Sequence, residues 1–343
     1  MAATIDNKRK SQDELLKYLV TIKEILLNEM DSKANSELEN GLHLAMNKMD
    51  FFYELLSAFE DLTFEIMKEV LLLFAISLAY TNDNKFVTVD YYVANPKTIS
   101  YMLRKVEIIL QPPPGSKKII NSHDMFLIVG NMILEAIKYG QLCRIIINDS
   151  QFYKFFTFAI IGNFEISTES FQILYGLFIS HEKLISTEFF SQESNILRFI
   201  QNINKLMAHG NYVTKRQSTK LMSELIIIKS NNQLMNTYIN SPENVKLIMT
   251  LMTDKSKNLQ IEAFNIFKVI VANPRKSKPV LDILIKNRDN LLKYFETFGT
   301  DIGDSIFIDE RGFVIQGIES LPRIMSSNIE SSSNPSSQSL PTI

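Results

Sequence analysis

Apolar residues recur at i, i+3, i+4 and i+7 along most of the chain, the spacing that places them on one face of an α-helix. The pattern is clearest from Asn211 to Lys293, where each segment has a recognisable start or stop. Ser241, Pro242 and Glu243 form one such start, with Ser at the N-cap, Pro at the first helical position and Glu in the first turn. The pattern therefore predicts a largely helical chain.

One helical pattern occurs three times, with Ser170, Ser218 and Ala263 at equivalent positions and large apolar residues following each of them at the same offsets. A weaker copy starts at Gly130. The copies follow one another at intervals of about 45 residues, the range of HEAT and armadillo repeats, in which helix pairs or triplets stack into a curved rod. The repeat therefore predicts an all-α, right-handed helical-repeat solenoid of armadillo or HEAT type.

Composition predicts three parts of the chain. Residues 1–10 are polar and predict disorder, residues 11–322 predict a single helical-repeat rod, and the Ser-rich residues 323–343 predict a second disordered segment. Ser11 and Glu14 have the spacing of a capping box, which predicts the start of the first helix.

The rod is expected to contain one ambiguous stretch and one sharp break. Phe86–Val93 favours a β-strand by propensity, with tertiary context left to decide between strand, helix and loop. The prolines of Gln111–Gly115 end any helix there. Further helices are predicted over residues 36–59, 62–80, 122–138 and 151–161, and a last apolar segment over residues 306–321.

Charge and cysteine content narrow the class of protein. The formal net charge is −2, so the chain as a whole is no polyanion binder, although Asn211 to Lys293 carries 14 Lys and Arg against 6 Asp and Glu. A single cysteine, Cys143, excludes an intramolecular disulfide and a cysteine-cluster metal site. The start of the chain has no secretory pattern, which predicts a cytoplasmic protein. The most apolar run, Val70 to Tyr80, is too short to span a bilayer.

Motifs for catalysis are missing from the sequence. The histidines His43, His123, His181 and His209 form no zinc-protease motif, and no EF-hand, nucleophile elbow or dinucleotide fingerprint is present. Cys143 lies among apolar residues, which favours a packed thiol over a nucleophile. We therefore expect no enzymatic activity, no bound metal and no cofactor.

Surface positions of the basic stretch are the remaining candidates. Lys215 and Arg216 lie on the polar side of a predicted helix, while Lys246 and Met249 are neighbours on one face of another. A Met edged by Lys suits a bound aromatic side chain with an acidic group beside it. Alternatively, Met249 is an ordinary core residue and the lysines are solvated charges.

Several uncommon strings in this region closely resemble the mouse protein-25 scaffold family, also called calcium-binding protein 39. The resemblance is strong from about residue 120 to 298, extends loosely to 322, and is weak but collinear over 11–119. The matching strings are Gln151–Tyr153, Asn211–Ser218, Tyr238–Leu247, Asp254–Asn258, Ile261–Phe264, Val271–Pro274 and Pro279–Leu284.

The resemblance implies a non-catalytic armadillo-like scaffold. Family members bind protein kinases or pseudokinases of the Ste20/germinal-centre type and hold them in the active arrangement. A C-terminal pocket takes a Trp-Glu-Phe-like peptide at the partner's tail, and the concave face takes the kinase lobe. Carried over by position, the pocket would use Arg216, Lys220, Lys246 and Met249, and Tyr212 would lie on the concave face.

Two departures from the animal sequences affect the expected partners. Lys229 stands where animal members carry Arg, and Asn232 stands where they carry a nearby Phe. Since those residues serve a further kinase contact, an animal-type ternary complex is not expected. The divergent first third and the Pro-rich loop predict a lineage-specific member, and the resemblance extends to fungal members, which act in cell polarity and morphogenesis with a Ste20-like kinase and a nuclear-Dbf2-related kinase.

Three other functions stay open. A helical-repeat adaptor for a non-kinase cargo predicts the same fold without selectivity for a Trp-Glu-Phe tail. An enzyme would need a constellation of polar residues that the motifs do not supply. Nucleic-acid binding would give a steep salt dependence, but the aromatic residues needed for base stacking mostly have core spacing. We therefore expect protein partners, no nucleic acid and no membrane span.

Overall fold

Most of the structure is helical. Two short strands, Thr81–Asn82 and Lys85–Phe86, pair antiparallel across a turn. The prediction of an all-α helical-repeat fold is confirmed by the helices and their packing described below. The computed structural model describes residues 2–27, 33–112, 114–115 and 121–323.

The helix bounds are as follows. The first ten helices are α1 (Ala2–Leu26), α2 (Lys33–Lys48), α3 (Phe51–Ser57), α4 (Phe64–Ala79), α5 (Val87–Ala94), α6 (Lys97–Leu110), α7 (Ser122–Ile137), α8 (Gly140–Asn148), α9 (Lys154–Ile161) and α10 (Phe164–Ile179). The others are α11 (Glu182–Leu184), α12 (Glu193–His209), α13 (Tyr212–Ile227), α14 (Asn232–Ile239), α15 (Pro242–Met252), α16 (Lys257–Ala272), α17 (Lys278–Lys286), α18 (Arg288–Thr297) and α19 (Ser305–Glu319). Short 3-10 turns occur at Phe59–Asp61, Ser150–Tyr153 and Lys229–Asn231, and a π-helical turn at Ile185–Phe189.

The chain divides into two compact units. The first contains Met1–Tyr238 and Leu247–Ile266, and the second contains Ile239–Lys246 and Phe267–Ile343. Helices α15 and α16 therefore each contribute residues to both units. The single rod predicted over residues 11–322 stays a prediction.

Within the first unit, the helices pack in a repeating order. Helices α4, α7, α10 and α13 pack each against the next. Helices α7, α10 and α13 also pack against a second layer. Each contacts the helix before it in the same repeat, in the pairs α6–α7, α9–α10 and α12–α13. This arrangement is that of stacked helical repeats, in which each repeat buries its apolar face against its neighbours.

The anchors of the sequence repeat lie in equivalent helices and are all buried. Ser170 lies in α10, Ser218 in α13 and Ala263 in α16, and none of the three has measurable exposure. Gly130 lies in α7, where an added Cβ would stand 2.9 Å from the Glu169 carboxylate of α10. Small residues at these positions therefore fit close packing between neighbouring helices of the repeat.

The second unit has its own core. Helix α18 packs against α19, and a Cβ added at Gly317 of α19 would lie 2.6 Å from a methyl carbon of Val271. The buried Arg288 guanidinium donates to the backbone carbonyls of Glu319 and Leu321 at 3.0 and 3.1 Å. The first bond satisfies a carbonyl at the end of α19 that lacks a partner within the helix, and the second holds the segment just after it.

Two local predictions differ from the structure. Disorder is predicted for residues 1–10, but α1 begins at Ala2, and Lys8 and Gln12 bond Asp61 at 2.7 and 2.5 Å. The helix predicted over 36–59 is interrupted at Asp50, which has the left-handed φ of 51°. Its carboxylate accepts from Tyr91 and Lys97 at 2.6 Å each, so long-range partners hold this break.

The ambiguous stretch Phe86–Val93 is mostly helix α5 and not a strand. Val89 and Tyr92 are buried, and α5 packs against α2, α4 and α8. Burial of one helical face therefore outweighs the β propensity of these residues. The Ser-rich segment from 324 onward lies outside the described residues, as does Pro113 of the predicted break. Within the described ranges, helices with the length and apolarity required to cross a membrane do not occur.

Candidate functional site

One polar stripe runs along α13. Tyr212, Arg216, Lys220 and Glu224 are spaced by four residues, which places them above one another on the helix surface. Helix α13 begins after Asn211, whose side-chain oxygen accepts from the backbone N–H of Thr214 at 2.9 Å. The opposite face is buried through Leu221, Met222, Leu225 and Ile226. The stripe is therefore presented by a helix that is fixed at its start and along its apolar side.

Two acidic side chains accompany the two cations of this stripe. The Arg216 Nε lies 3.7 Å from Glu262 Oε1 of α16, and the Lys220 Nζ lies 3.7 Å from Glu224 Oε1. Tyr175 of α10 donates to the other oxygen of Glu224 at 3.0 Å. At 3.7 Å these ion pairs are longer than charge-assisted hydrogen bonds, which are about 2.7–2.9 Å. Both cations therefore keep donor capacity for another acceptor.

The Glu262 carboxyl lies in an unusual position. Its side chain is only 13% exposed, whereas that of Arg216 is 45% exposed. Burial raises the pKa of Glu262, while Arg216 and Lys220 lower it and Glu224 raises it. Burial is the largest of these effects, so the two cations only partly offset the cost of keeping this carboxylate charged.

Tyr212 stands at the first position of α13 with about half of its side chain exposed. Its hydroxyl oxygen accepts from Ser256 Oγ at 3.2 Å. Hydrogen bonds from Ser256 and Asn258, and the nearby Arg216, lower the pKa of Tyr212. The ring is thus held in place at its polar end while its apolar part faces solvent.

Two apolar residues are also exposed where α9 ends and α10 begins. Ile161 at the end of α9 is 62% exposed and Phe164 at the start of α10 is 65% exposed. The Thr214 hydroxyl of α13 bonds the Ala159 carbonyl of α9 at 3.3 Å, which ties the start of α13 to the end of α9.

The other two predicted pocket residues lie on α15. Met249 belongs to the first unit and is half-buried, whereas Lys246 belongs to the second and pairs with Glu243 at 3.2 Å. Both lie in one helix, as their spacing predicts. A pocket that combines them with Arg216 and Lys220 stays a prediction. Of the two departure positions, Lys229 lies in a 3-10 turn and Asn232 begins α14.

The cysteine and two of the histidines considered for catalysis pack against, or bond to, the backbone and rings of neighbouring elements. Burial raises the pKa of the Cys143 thiol to about 12, and its sulfur lies 3.9 Å from the Leu177 carbonyl oxygen. His181 Nε2 lies 2.7 Å from the Ile137 carbonyl oxygen. His43 is buried and stacked on Tyr80 with 4.0 Å between ring centroids. Among the described residues, no group of His, Cys, Asp and Glu is placed to hold a metal ion.

Sequence reasoning missed the acidic half of the site. Glu262 lies within the string Ile261–Phe264 that carries the resemblance, but its position beside Arg216 depends on the packing of α16. Glu224 has a clearer signal, since it continues the four-residue spacing of the stripe on the same helix. Tyr175 gives no sequence signal, and Ser256 lies in the matching string Asp254–Asn258, but the contact of each with the stripe depends on packing between segments.

Comparisons with known proteins agree on one family. The sequence model of the Mo25-like family matches residues 2–322. Protein HYM1 of Saccharomyces cerevisiae is 62% identical over 336 residues, which cover 98% of this chain and 82% of HYM1.

Two more distant relatives match over similar lengths. Calcium-binding protein 39-like of Mus musculus is 31% identical, with 92% of this chain and 88% of the mouse protein covered. The conidiophore development protein hymA of Emericella nidulans is 31% identical, with 92% and 85% covered. The match includes the whole of α13, α15 and α16.

Proposed function

The chain belongs to the Mo25-like family, and from this we propose that it is a non-catalytic scaffold that binds and activates a Ste20/germinal-centre-type protein kinase or pseudokinase. The observation that carries the proposal is the stripe of α13, where Arg216 and Lys220 are half-exposed and only loosely paired. Cations in this state are suited to a carboxylate on a partner, and Arg offers a two-pronged contact.

The partner's tail is proposed to be a Trp-Glu-Phe-like peptide bound by Arg216, Lys220, Lys246 and Met249. Burial of one aromatic side chain would contribute roughly 1.5–3 kcal/mol. Met249 is half-buried and therefore available as an apolar contact. The carboxylates of the peptide would be held by the cations of the stripe.

A second surface is proposed for the kinase lobe itself. It lies on the face of the first unit that α4, α7, α10 and α13 form. Tyr212 and Phe164 stand exposed at the starts of α13 and α10 and supply apolar contact area. Tyr and Phe bury a large area at low conformational cost, which makes them common contact residues in interfaces.

The process is proposed to be cell polarity or morphogenesis in the cytoplasm, in a pathway that includes a nuclear-Dbf2-related kinase. The high identity to HYM1 and the match to a protein named for conidiophore development support this assignment. A helical-repeat adaptor for a non-kinase cargo is the alternative, and the peptide experiment below separates the two.

Binding of a fluorescent peptide ending in Trp-Glu-Phe tests the proposal. We expect saturable binding to the wild type, and a loss of about 1.5–3 kcal/mol of binding free energy, or roughly ten- to a hundredfold, in Arg216→Ala. Met249→Ala is expected to weaken binding through lost apolar contact. Arg275→Ala removes an exposed charge from the same basic stretch and serves as the matched control.

The outcomes separate the two functions. Binding that is weakened by Arg216→Ala and Met249→Ala but not by Arg275→Ala supports a pocket at these residues. Wild-type binding that persists after the peptide's last three residues are scrambled would contradict a specific pocket. Loss of binding on scrambling supports the kinase-tail reading. A folded wild type that ignores the peptide altogether would favour the adaptor for another cargo. Helical circular dichroism confirms that each variant is folded.

A further inference from the structure

We propose that Glu262 is a built-in competitor for the cations of the stripe, so that an acidic peptide tail binds best when the Glu262 carboxyl takes up a proton. The inference rests on the proposed function of this site and adds its regulation by pH. It starts from a geometric fact, namely that the protein already places one carboxylate beside the arginine proposed to hold the ligand.

The position of Glu262 makes it a competitor of a ligand carboxylate for Arg216. Its side chain is 13% exposed and its Oε1 lies 3.7 Å from Arg216 Nε. A ligand carboxylate that approaches Arg216 comes within a few ångströms of Glu262, where two negative charges repel each other. Because Glu262 is largely buried, water screens this repulsion less than it screens charges at the open surface.

The charged groups around Glu262 set the direction of the effect. Arg216 and Lys220 of α13 favour its ionised form, Glu224 of the same helix opposes it, and on its own helix the Asn265 amide donates a hydrogen bond to it. Tyr175 of α10 faces this group through its hydrogen bond to Glu224. A second carboxylate at Arg216 would weaken the effect of Arg216 on Glu262 and add to the effect of Glu224. The bound state would therefore hold the Glu262 proton more tightly than the free state.

Binding and proton uptake are linked by this difference. Since the complex binds more protons than the free protein, affinity rises as the pH falls, in the range where Glu262 titrates. The rise ends when the ligand's own carboxyl groups begin to take up protons, near their ordinary pKa values of about 3.5–4.5. The test is therefore run above about pH 5, where the ligand's carboxylates stay charged.

The test measures binding of the Trp-Glu-Phe peptide from pH 5 to 8 for the wild type and three variants. We expect the wild type to bind about fivefold more tightly at pH 5.5 than at pH 8. Glu262→Gln keeps the shape without the charge, so it is expected to bind more tightly than the wild type at pH 8 and to lose the wild type's pH dependence. Glu262→Asp is expected to keep a pH dependence. Glu296→Gln removes an exposed acid of the second unit and should behave as the wild type.

Other outcomes overturn the inference. Weaker binding by a folded Glu262→Gln would show that the carboxylate only positions Arg216, and an unchanged pH profile in that variant would assign the titration to another group. Calorimetry in two buffers of different ionisation enthalpy gives a second readout, with proton uptake at pH 6 expected for the wild type and lost in Glu262→Gln. If the folded wild type does not bind the peptide, the proposed function fails and this inference fails with it. If the wild type binds the peptide but Glu262→Gln changes neither the affinity nor its pH dependence, the inference fails and the proposed function stands.

Discussion

Two ion pairs of the first unit have opposite geometries. In the N-terminal repeats, Lys105 Nζ lies 2.6 Å from Glu60 Oε1 and the lysine side chain is 2% exposed. In the candidate site, Arg216 Nε lies 3.7 Å from Glu262 Oε1, and here the cation is the exposed partner and the acid the more buried one. The Lys105–Glu60 pair, here called the closed pair, is thus a short contact with a buried cation. The Arg216–Glu262 pair, here called the open pair, is a longer contact with an exposed cation.

The difference indicates which pair serves the fold and which serves a partner. A cation without access to water depends on its acid, because an unpaired buried charge is costly. A cation at the surface can exchange its acid for another acceptor at little cost, since water and salt already compete for it. Close pairing with a buried cation is therefore expected to affect stability, and loose pairing with an exposed cation is expected to affect binding.

The largest expected effect follows from removing the acid of the closed pair. Glu60→Ala leaves the Lys105 ammonium buried without its partner and is expected to lower the free energy of unfolding by about 3 kcal/mol. Lys105→Met leaves Glu60, whose side chain is 36% exposed, in contact with water. This second change is expected to cost less than about 1 kcal/mol, because Met fills similar volume without a charge. Urea denaturation of both variants measures the difference.

Equal losses in the two variants would contradict this view of the pair. Such a result would mean that the packing of the two side chains matters more than the unpaired ammonium. Lys68→Met is a suitable control, since Lys68 pairs with Glu65 at 3.3 Å on the surface and both side chains are exposed. It is expected to change the free energy of unfolding by less than about 0.5 kcal/mol.

His43 extends the comparison to pH. Burial lowers its pKa to about 4 from an ordinary value of 6.5, and neither ring nitrogen has a hydrogen-bond partner among the described residues. The unfolded chain therefore binds the proton first, and stability falls as the pH drops from about 6.5 towards 4. The expected loss for this residue is about 3 kcal/mol by pH 4.

The variant His43→Phe keeps a ring against Tyr80 and removes the titration. Its stability is expected to fall about 3 kcal/mol less than that of the wild type between pH 7 and pH 4, as measured by urea denaturation at each pH. Glu169, whose pKa is raised to about 6 by burial, contributes in the opposite direction because its charged form is disfavoured in the fold. Its contribution is present in both proteins and cancels in the difference. Parallel pH curves for the two proteins would contradict the prediction.

The fold follows from the sequence where the decisive contacts are local or repeat. The anchors Ser170, Ser218 and Ala263 share one pattern and all lie buried in helices. The break at Asp50 is different, because it is held by Tyr91 and Lys97, which lie about forty residues further along the chain. Propensity within a short window contains no information about such partners.

The candidate site also contains residues that the sequence identifies and residues that it does not. Arg216 and Lys220 can be identified from helical spacing and from the family resemblance, since both lie on the polar side of one helix. Glu262 cannot, because its meaning depends on which side of α16 meets α13. Residues whose role arises from packing between repeats are therefore the ones for which sequence reasoning fails first.

The smallest expected effect concerns stability at the open pair. Arg216→Ala is expected to change the free energy of unfolding by no more than about 0.5 kcal/mol, although it removes the cation nearest to Glu262. Two features limit the cost: Lys220 still favours the charged carboxylate, and a carboxyl whose pKa is already raised by burial can take up a proton instead of remaining charged. Urea denaturation at pH 7 measures the change, with Arg275→Ala as the control. A loss above about 1.5 kcal/mol would place this pair with Lys105 and Glu60 as part of the fold, and Arg216 would then be held too firmly to serve as a free contact for a partner's carboxylate.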